Sequence, residues 1–212
     1  MRKNNEDNFW AVGAYLEKIN GGMATIVEGQ VRQQEIPAFA VFDGMGGESC
    51  GETAAFLAAD TFERCYRKER EYGRDHVEEF LYDTCIQMNH VCAGMLIPTG
   101  WIVWDPRQLW HCSEGNVLAS VMWETAGSTN YGENVRQLTQ DHVVRLQGNF
   151  RKAPLTQYIG LREEEARLTP YVVSGDYHEG DRFLICSDGV TDMLSDEEMD
   201  ILEKIKTGKC TA

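Results

Sequence analysis

Absences narrow this chain first. Its 7 cysteines (Cys50, Cys65, Cys85, Cys92, Cys112, Cys186, Cys210) include no C-x-x-C pair. An odd count without metal spacing, set mostly among apolar neighbours, points to reduced, mostly buried thiols in a cytoplasm and not to disulfides or a zinc site. No apolar run approaches the roughly 20 residues that a membrane-spanning helix needs. The opening Met1-Arg2-Lys3-Asn4-Asn5-Glu6-Asp7 has a basic pair with no apolar stretch behind it, so neither a secretory signal nor export is expected. Basic residues are outnumbered: 20 Lys and Arg stand against 34 Asp and Glu, for a formal net charge of -14. That surplus would repel a nucleic-acid backbone, whose binding rests on cationic side chains neutralising phosphates. No repeat, low-complexity tract or linker rich in proline or serine breaks the sequence.

What is present fits one soluble globular domain. A hydrophobic fraction of 42% and a charged fraction of 25% over 212 residues leave enough chain for one good core and too little for two. We therefore expect a single domain over 1–212, cytoplasmic and monomeric.

Segments 9–18 (Trp10, Val12, Ala14, Leu16) and 24–31 (Thr25, Val27, Val31) alternate like half-buried strands around Asn20-Gly21-Gly22, which predicts an early hairpin. Pro37-Ala38-Phe39-Ala40-Val41-Phe42-Asp43 is an apolar run too short for a helix and ends abruptly at Asp43-Gly44, the pattern of a central strand. From Ser49 to Tyr72, Ala54, Leu57, Ala58, Thr61, Phe62 and Cys65 recur at helical spacing, with Gly73 as a stop. A second helix is expected from Asp75, with Glu78 completing a capping box, through Val77, Phe80, Leu81, Thr84, Met88, Val91 and Met95. Strand character returns at 101–104 and 108–112 around an Asp105-Pro106 turn, and again at Tyr171-Val172-Val173. It recurs in Arg182-Phe183-Leu184-Ile185-Cys186-Ser187-Asp188, a second apolar run ending in Asp-Gly. Ser195 with Glu198 reads as a capping box opening a helix over 196–206. Strands, helices, strands and a helix, in that order, predict an α+β fold with mainly antiparallel sheets.

The two strands that end alike carry the chemistry. A carboxylate at the tip of a rigid apolar strand sits at the edge of a core, where ionisation is costly unless a cation or a donor compensates it. A following glycine lets the chain turn sharply and bring its own carbonyl towards the same ion. Hard cations such as Mg²⁺ and Mn²⁺ want such oxygen-rich surroundings. A lone Asp-Gly is most often only a turn closing a strand. Here the first is followed by Met45-Gly46-Gly47, a glycine-rich bend that leads straight into a helix and that a plain hairpin would not need.

Asn5-Glu6-Asp7, Val41-Phe42-Asp43-Gly44-Met45-Gly46-Gly47, Leu138-Thr139-Gln140-Asp141-His142 and the run from Gly180 to Asp192 stand in that order. Together they resemble the motifs of the metal-dependent protein phosphatases of the 2C type, the PPM family, and its bacterial branch in particular. The resemblance spans about residues 2–200. It implies a four-layer α-β-β-α sandwich of two mainly antiparallel sheets flanked by helices. It also implies hydrolysis of phosphoserine and phosphothreonine in phosphorylated protein substrates. By the same resemblance Asp43 bridges two Mn²⁺ or Mg²⁺ ions, Glu6 and the Gly44 carbonyl ligate one of them, and Asp188 ligates the other. Arg2 grips the substrate phosphate. The implied reaction is attack by a water that bridges the two ions, in line on phosphorus and with no phosphoenzyme. With Met45 where many relatives have His, water would protonate the leaving group.

Two departures from the family stand out. Asn116 in Gly115-Asn116-Val117-Leu118 takes the place of the aspartate of a Gly-Asp-Ser-Arg segment; alternatively Gly127-Ser128-Thr129 matches an earlier family motif and that segment is missing. Either way a third ion is not expected. The chain stops at Ala212 before the family's late Asp-Asn pair, which implies one ligand of the first ion and one or more closing strands fewer. These losses motivate a rival reading, a degenerate relative that binds phosphoprotein or a partner without hydrolysis. A metal-binding structural domain is a third reading, disfavoured because Arg2 and Glu6 both match. His142 is expected to be structural, the aromatic and Met cluster (Trp101, Trp104, Trp110, Met122, Trp123) to be packing, and Glu163-Glu164-Glu165 to be a solvated face.

Overall fold

Asn8–Ala11 forms β1, a strand that ends sooner than its alternation suggests. Val12 at φ 51° and Gly13 at φ 84° reverse the chain, and Ala11 and Ala14 exchange both backbone hydrogen bonds at 2.9 Å. Two central residues at positive φ are what a tight hairpin turn of right-handed twist requires. Asn8 holds the reversal from inside: its buried side chain accepts from the Leu16 amide and donates to the Leu16 carbonyl, both at 2.9 Å. The expected strand over 9–18 is therefore corrected to β1 alone. Asn20-Gly21-Gly22 does turn, with Asn20 Oδ1 accepting from the Gly22 amide at 3.0 Å. The turn's carbonyl at Asn20 receives the Asn5 amide at 2.8 Å, while the proposed partner strand at 24–31 lies outside the described residues.

This computed structural model describes residues 5–23, 38–44, 51–69, 76–94, 107–114, 117–123, 129–130, 138–139, 156–164, 166–176, 183–195 and 197–199. Ala38–Asp43 is β2, Arg107–Glu114 β3, Val117–Trp123 β4, Thr129–Asn130 β5, Tyr171–Asp176 β6 and Phe183–Leu184 β7. The helices are α1 (Gly51–Glu69), α2 (Val77–Gly94) and the single turn α3 (Asp188–Thr191). A five-stranded sheet runs β1-β2-β3-β4-β6 and a two-stranded one pairs β5 with β7. Every strand pairing among the described residues is antiparallel, so the fold is α+β. β2 lies inside the larger sheet, as its apolar run predicts.

One expectation about strands needs correction. The strand expected at 108–112 is present within β3, which pairs with β4 from Gln108 opposite Trp123 to Glu114 opposite Val117, while 101–104 and the Asp105-Pro106 turn lie outside the described residues. Among the described residues of the second apolar run, 183–188, only the half-buried Phe183 and Leu184 form a strand, β7. Asp188 opens α3 instead of ending a strand, because Ser187 offers its carbonyl to the Val190 amide at 3.1 Å and the chain enters a helical turn.

Helices α1 and α2 pack on each other; α1 lies against β1 and β2, and α2 against β4 and β6. Ala54, Ala55, Ala58 and Ala59 form a buried stripe on α1. With nothing beyond Cβ, they let the helix come close to the sheet. Trp10, Ala38, Ala40 and Phe42 on β1 and β2, Phe62 on α1, and Leu81, Cys85, Met88 and Cys92 on α2 make the core, joined by Ile159, Leu161 and Leu168. Each large side chain among them stabilises by roughly 1.5–3 kcal/mol through burial. Asn89 of α2 pins the loop that supplies Ile159 and Leu161, accepting from the Gly160 amide at 2.8 Å and donating to the Leu161 carbonyl at 3.0 Å. The expected capping box is present: Glu198 Oε2 accepts from the Ser195 amide at 2.9 Å, and Ser195 Oγ from the Glu198 amide at 3.3 Å. No helix among the described residues is long and apolar enough to cross a membrane.

Candidate functional site

Asp43 is the last residue of β2 and is only 9% exposed. Its strand is held on both sides, by β1 through Asn8 opposite Phe42 and by β3 through Arg107 opposite Asp43. The carboxylate thus stands at a rigid strand end at the margin of the core, where its charge needs compensation.

Gly44 is required there by space. A Cβ on it would lie 2.2 Å from the Glu6 carbonyl oxygen and 2.7 Å from that of Gly51. The end of β2 is wedged between the backbone of Glu6, before β1, and that of Gly51, at the start of α1. Gly189 differs: a Cβ there would meet only Ser187 Oγ, at an ordinary 3.6 Å. The two Asp-Gly pairs look alike in sequence, yet only the first is demanded by close backbone approach.

Asp7 joins this place to the second Asp-Gly. Its Oδ1 accepts from the Gly44 amide at 3.4 Å and its Oδ2 from Ser187 Oγ at 3.0 Å. Asp7 is itself held by Asn5, whose Nδ2 donates to the Asp7 carbonyl at 2.9 Å while its Oδ1 accepts from the Asp7 amide at 3.4 Å. Through this one carboxylate, the segment that ends in Asp43-Gly44 and the segment that enters Asp188 come together.

Of the residues expected to act, Glu6 comes to the end of β2 by its backbone, which lies against Gly44, the residue after Asp43. Asp188 stands at the first position of α3, next to Ser187, and its side chain lies outside the described residues. Arg2, Met45, Asp141, His142 and Asn116 also lie outside them. Thr139 of the Leu-Thr-x-Asp-His segment is buried, and Glu163 and Glu164 are exposed. Asp7 and Ser187 stand within the motifs, and the resemblance gives neither a role of its own. Their sequence separation of 180 leaves no local signal that they meet.

Among the described residues, no group of three or more His, Cys, Asp or Glu side chains stands where it could hold a metal ion. The side-chain donors shown to meet beside the β2 end are nevertheless hard oxygens, the Asp7 carboxylate and the Ser187 hydroxyl, and Asp43 adds a buried carboxylate at the strand end itself. That chemistry suits Mg²⁺ or Mn²⁺ and not a softer ion.

No protein-family profile and no curated protein sequence matches the chain. Solved structures match it in fold. The Mycobacterium tuberculosis serine/threonine phosphatase PstP/Ppp superposes with a TM-score of 0.68 at 20% identity, over 94% of this chain and 79% of that one. The S. agalactiae serine/threonine phosphatase does so with a TM-score of 0.71 at 17% identity, over 95% and 80%. The catalytic domain of PstP in complex with 2 manganese ions gives a TM-score of 0.65 at 20% identity, over 94% and 78%. The chain therefore shares the fold of bacterial 2C-type serine/threonine phosphatases.

Proposed function

With that shared fold as the starting point, we propose that this chain is a metal-dependent protein serine/threonine phosphatase, a single domain built as a four-layer α-β-β-α sandwich. The observation that carries the reading is the Asp7 carboxylate, which receives the Gly44 amide on one oxygen and the Ser187 hydroxyl on the other. Two Asp-Gly segments from far apart in the chain are thereby drawn to one spot, as a dinuclear site needs.

In this reading Glu6, Asp43, the Gly44 carbonyl and Asp188 hold two Mn²⁺ or Mg²⁺ ions, and Arg2 takes the substrate phosphate. Bound there, the ions supply Lewis acidity towards water and the phosphoryl oxygens. Burial of Asp43 at a strand end keeps its oxygens fixed before any ligand arrives. Gly44, lacking a side chain, lets its backbone lie against the Glu6 carbonyl. The substrates are phosphorylated proteins, and the protein acts as a cytoplasmic monomer with no nucleic-acid partner.

A second reading is a phosphoprotein-binding or partner-binding module without hydrolysis. The sequence departure at Asn116, which stands where the family's Gly-Asp-Ser-Arg segment has its aspartate, supports it. Hydrolysis of p-nitrophenyl phosphate and of a phosphothreonine peptide, with added Mn²⁺, separates the two. Activity that needs Mn²⁺ and disappears in Asp43→Ala is the expected result. A wild-type chain that binds Mn²⁺ by calorimetry yet hydrolyses neither substrate selects the binding module instead.

A further inference from the structure

We propose that Ser187 is a positioning residue for this site, acting through Asp7: the hydroxyl donated to Asp7 Oδ2 at 3.0 Å sets where the chain entering Asp188 meets the end of β2. The inference rests on the metal-dependent reading above and gives a role to a residue outside its ligand set.

The local backbone explains why such a tie is needed. β7 ends at Leu184, whose partner Thr129 makes the last ladder pair, and Ile185, Cys186 and Ser187 run on beyond it. Ser187 then fixes the chain at both of its polar ends. Its carbonyl accepts from the Val190 amide at 3.1 Å and so starts α3, and its hydroxyl reaches across to Asp7.

Asp7 is a suitable anchor because it is restrained from three directions. Asn5 holds its backbone, the Gly44 amide holds Oδ1 and Ser187 holds Oδ2. A shift of Ser187 is therefore felt at Gly44. A hydroxyl donating to a carboxylate makes a charge-assisted bond stronger than a neutral one. It also satisfies Asp7 without cancelling its charge, as a lysine or arginine in that place would, so the site keeps its attraction for cations.

The test compares Ser187→Ala, Ser187→Thr and Ser187→Cys with the wild-type chain. Mn²⁺ affinity is measured by calorimetry, melting with and without Mn²⁺, and kcat and KM on a phosphothreonine peptide. Removing the hydroxyl is expected to weaken Mn²⁺ binding by about tenfold, the scale of losing a residue that orients metal ligands. The metal-free melting temperature is expected to fall by only about 2–4 °C, as for one lost hydrogen bond in a chain of this length. Activity should fall in kcat with KM little changed, and Ser187→Thr should restore most of the affinity. A bond that only supports the fold would lower melting and leave Mn²⁺ affinity within about twofold of wild type; that result overturns the inference and leaves the phosphatase reading standing. Absence of saturable Mn²⁺ binding by the wild-type chain sinks the reading itself and this inference with it. Should Ser187→Ala fail to fold, Ser187→Cys keeps the volume with a weaker donor and carries the same comparison.

Discussion

Trp10 donates its indole Nε1–H to Glu63 Oε2 at 2.7 Å, a bond between β1 and α1 that lies within the core. Phe62 and Tyr66 flank the indole, each with its ring centroid 4.7 Å away. Glu63 is 7% exposed and also receives Arg67 one turn along the helix. A carboxylate is tolerated there because two donors reach it from different elements.

Trp10→Phe keeps most of the apolar contact and deletes one of those donors. A buried acceptor left short of a partner costs roughly 1–3 kcal/mol. Urea unfolding should show a loss in that range. Glu63→Gln, which keeps an acceptor for the indole, should lose less than Glu63→Ala. Equal losses for Gln and Ala would mean that the indole bond contributes nothing.

The two glycines that follow aspartate should respond differently to the same substitution. Gly44→Ala pushes a methyl group into the Glu6 and Gly51 carbonyl oxygens, and neither stretch of backbone yields easily. A destabilisation of about 3 kcal/mol or more is expected, at the upper end for overpacking. Gly189→Ala meets only Ser187 Oγ at contact distance, so its unfolding midpoint should stay near that of the wild type. Reversal of that order would contradict the packing at the end of β2.

Cation binding to the folded chain alone should raise its stability by mass action. At a free Mn²⁺ concentration 100 times its dissociation constant, the gain is about 2.7 kcal/mol, or about 5–11 °C in melting temperature for a chain of this length. Chelation with EDTA should return the melting temperature to the metal-free value. Asp43→Asn should shrink the Mn²⁺-induced rise to a small fraction, because a charged oxygen donor is replaced by a neutral amide. An equal rise in the variant would remove Asp43 from the ligand set.

Glu198 gives a pH prediction with a definite sign. Hydrogen bonds from the Ser195 amide and then the Ser195 hydroxyl hold its carboxyl below the usual value. A carboxylate whose folded pKa is depressed contributes stability in full above the unfolded value of about 4.3, and that contribution fades as pH falls through the lower folded value. An NMR titration should find Glu198 below a reference glutamate, and Ser195→Ala should bring it back. An unchanged midpoint in Ser195→Ala would assign the shift to something other than the cap.

Several elements were legible because their causes are local. The helical recurrence of Ala54, Ala58 and Phe62, the apolar run into Asp43 and the Ser195-Glu198 spacing each describe interactions within a few residues, and each appears in the structure. Where reading failed, a competing interaction had won. Val12-Gly13 ended β1 early because Asn8 could clamp Leu16 from within. Of the apolar run into Asp188 only Phe183 and Leu184 pair as a strand, and Ser187 turns the chain into α3 at Asp188.

Sequence by itself determined the periodicities, the acidic balance and the pairing of aspartate with glycine at Asp43, since these follow from neighbouring residues and their side-chain chemistry. Only the tertiary structure decided that Gly44 has no room for a side chain and that Asp7 is where Gly44 and Ser187 meet. Both depend on segments far apart in the chain approaching within hydrogen-bond or van der Waals distance. Such approaches are set by how the sheet and helices pack, and neither participant's own neighbourhood records them.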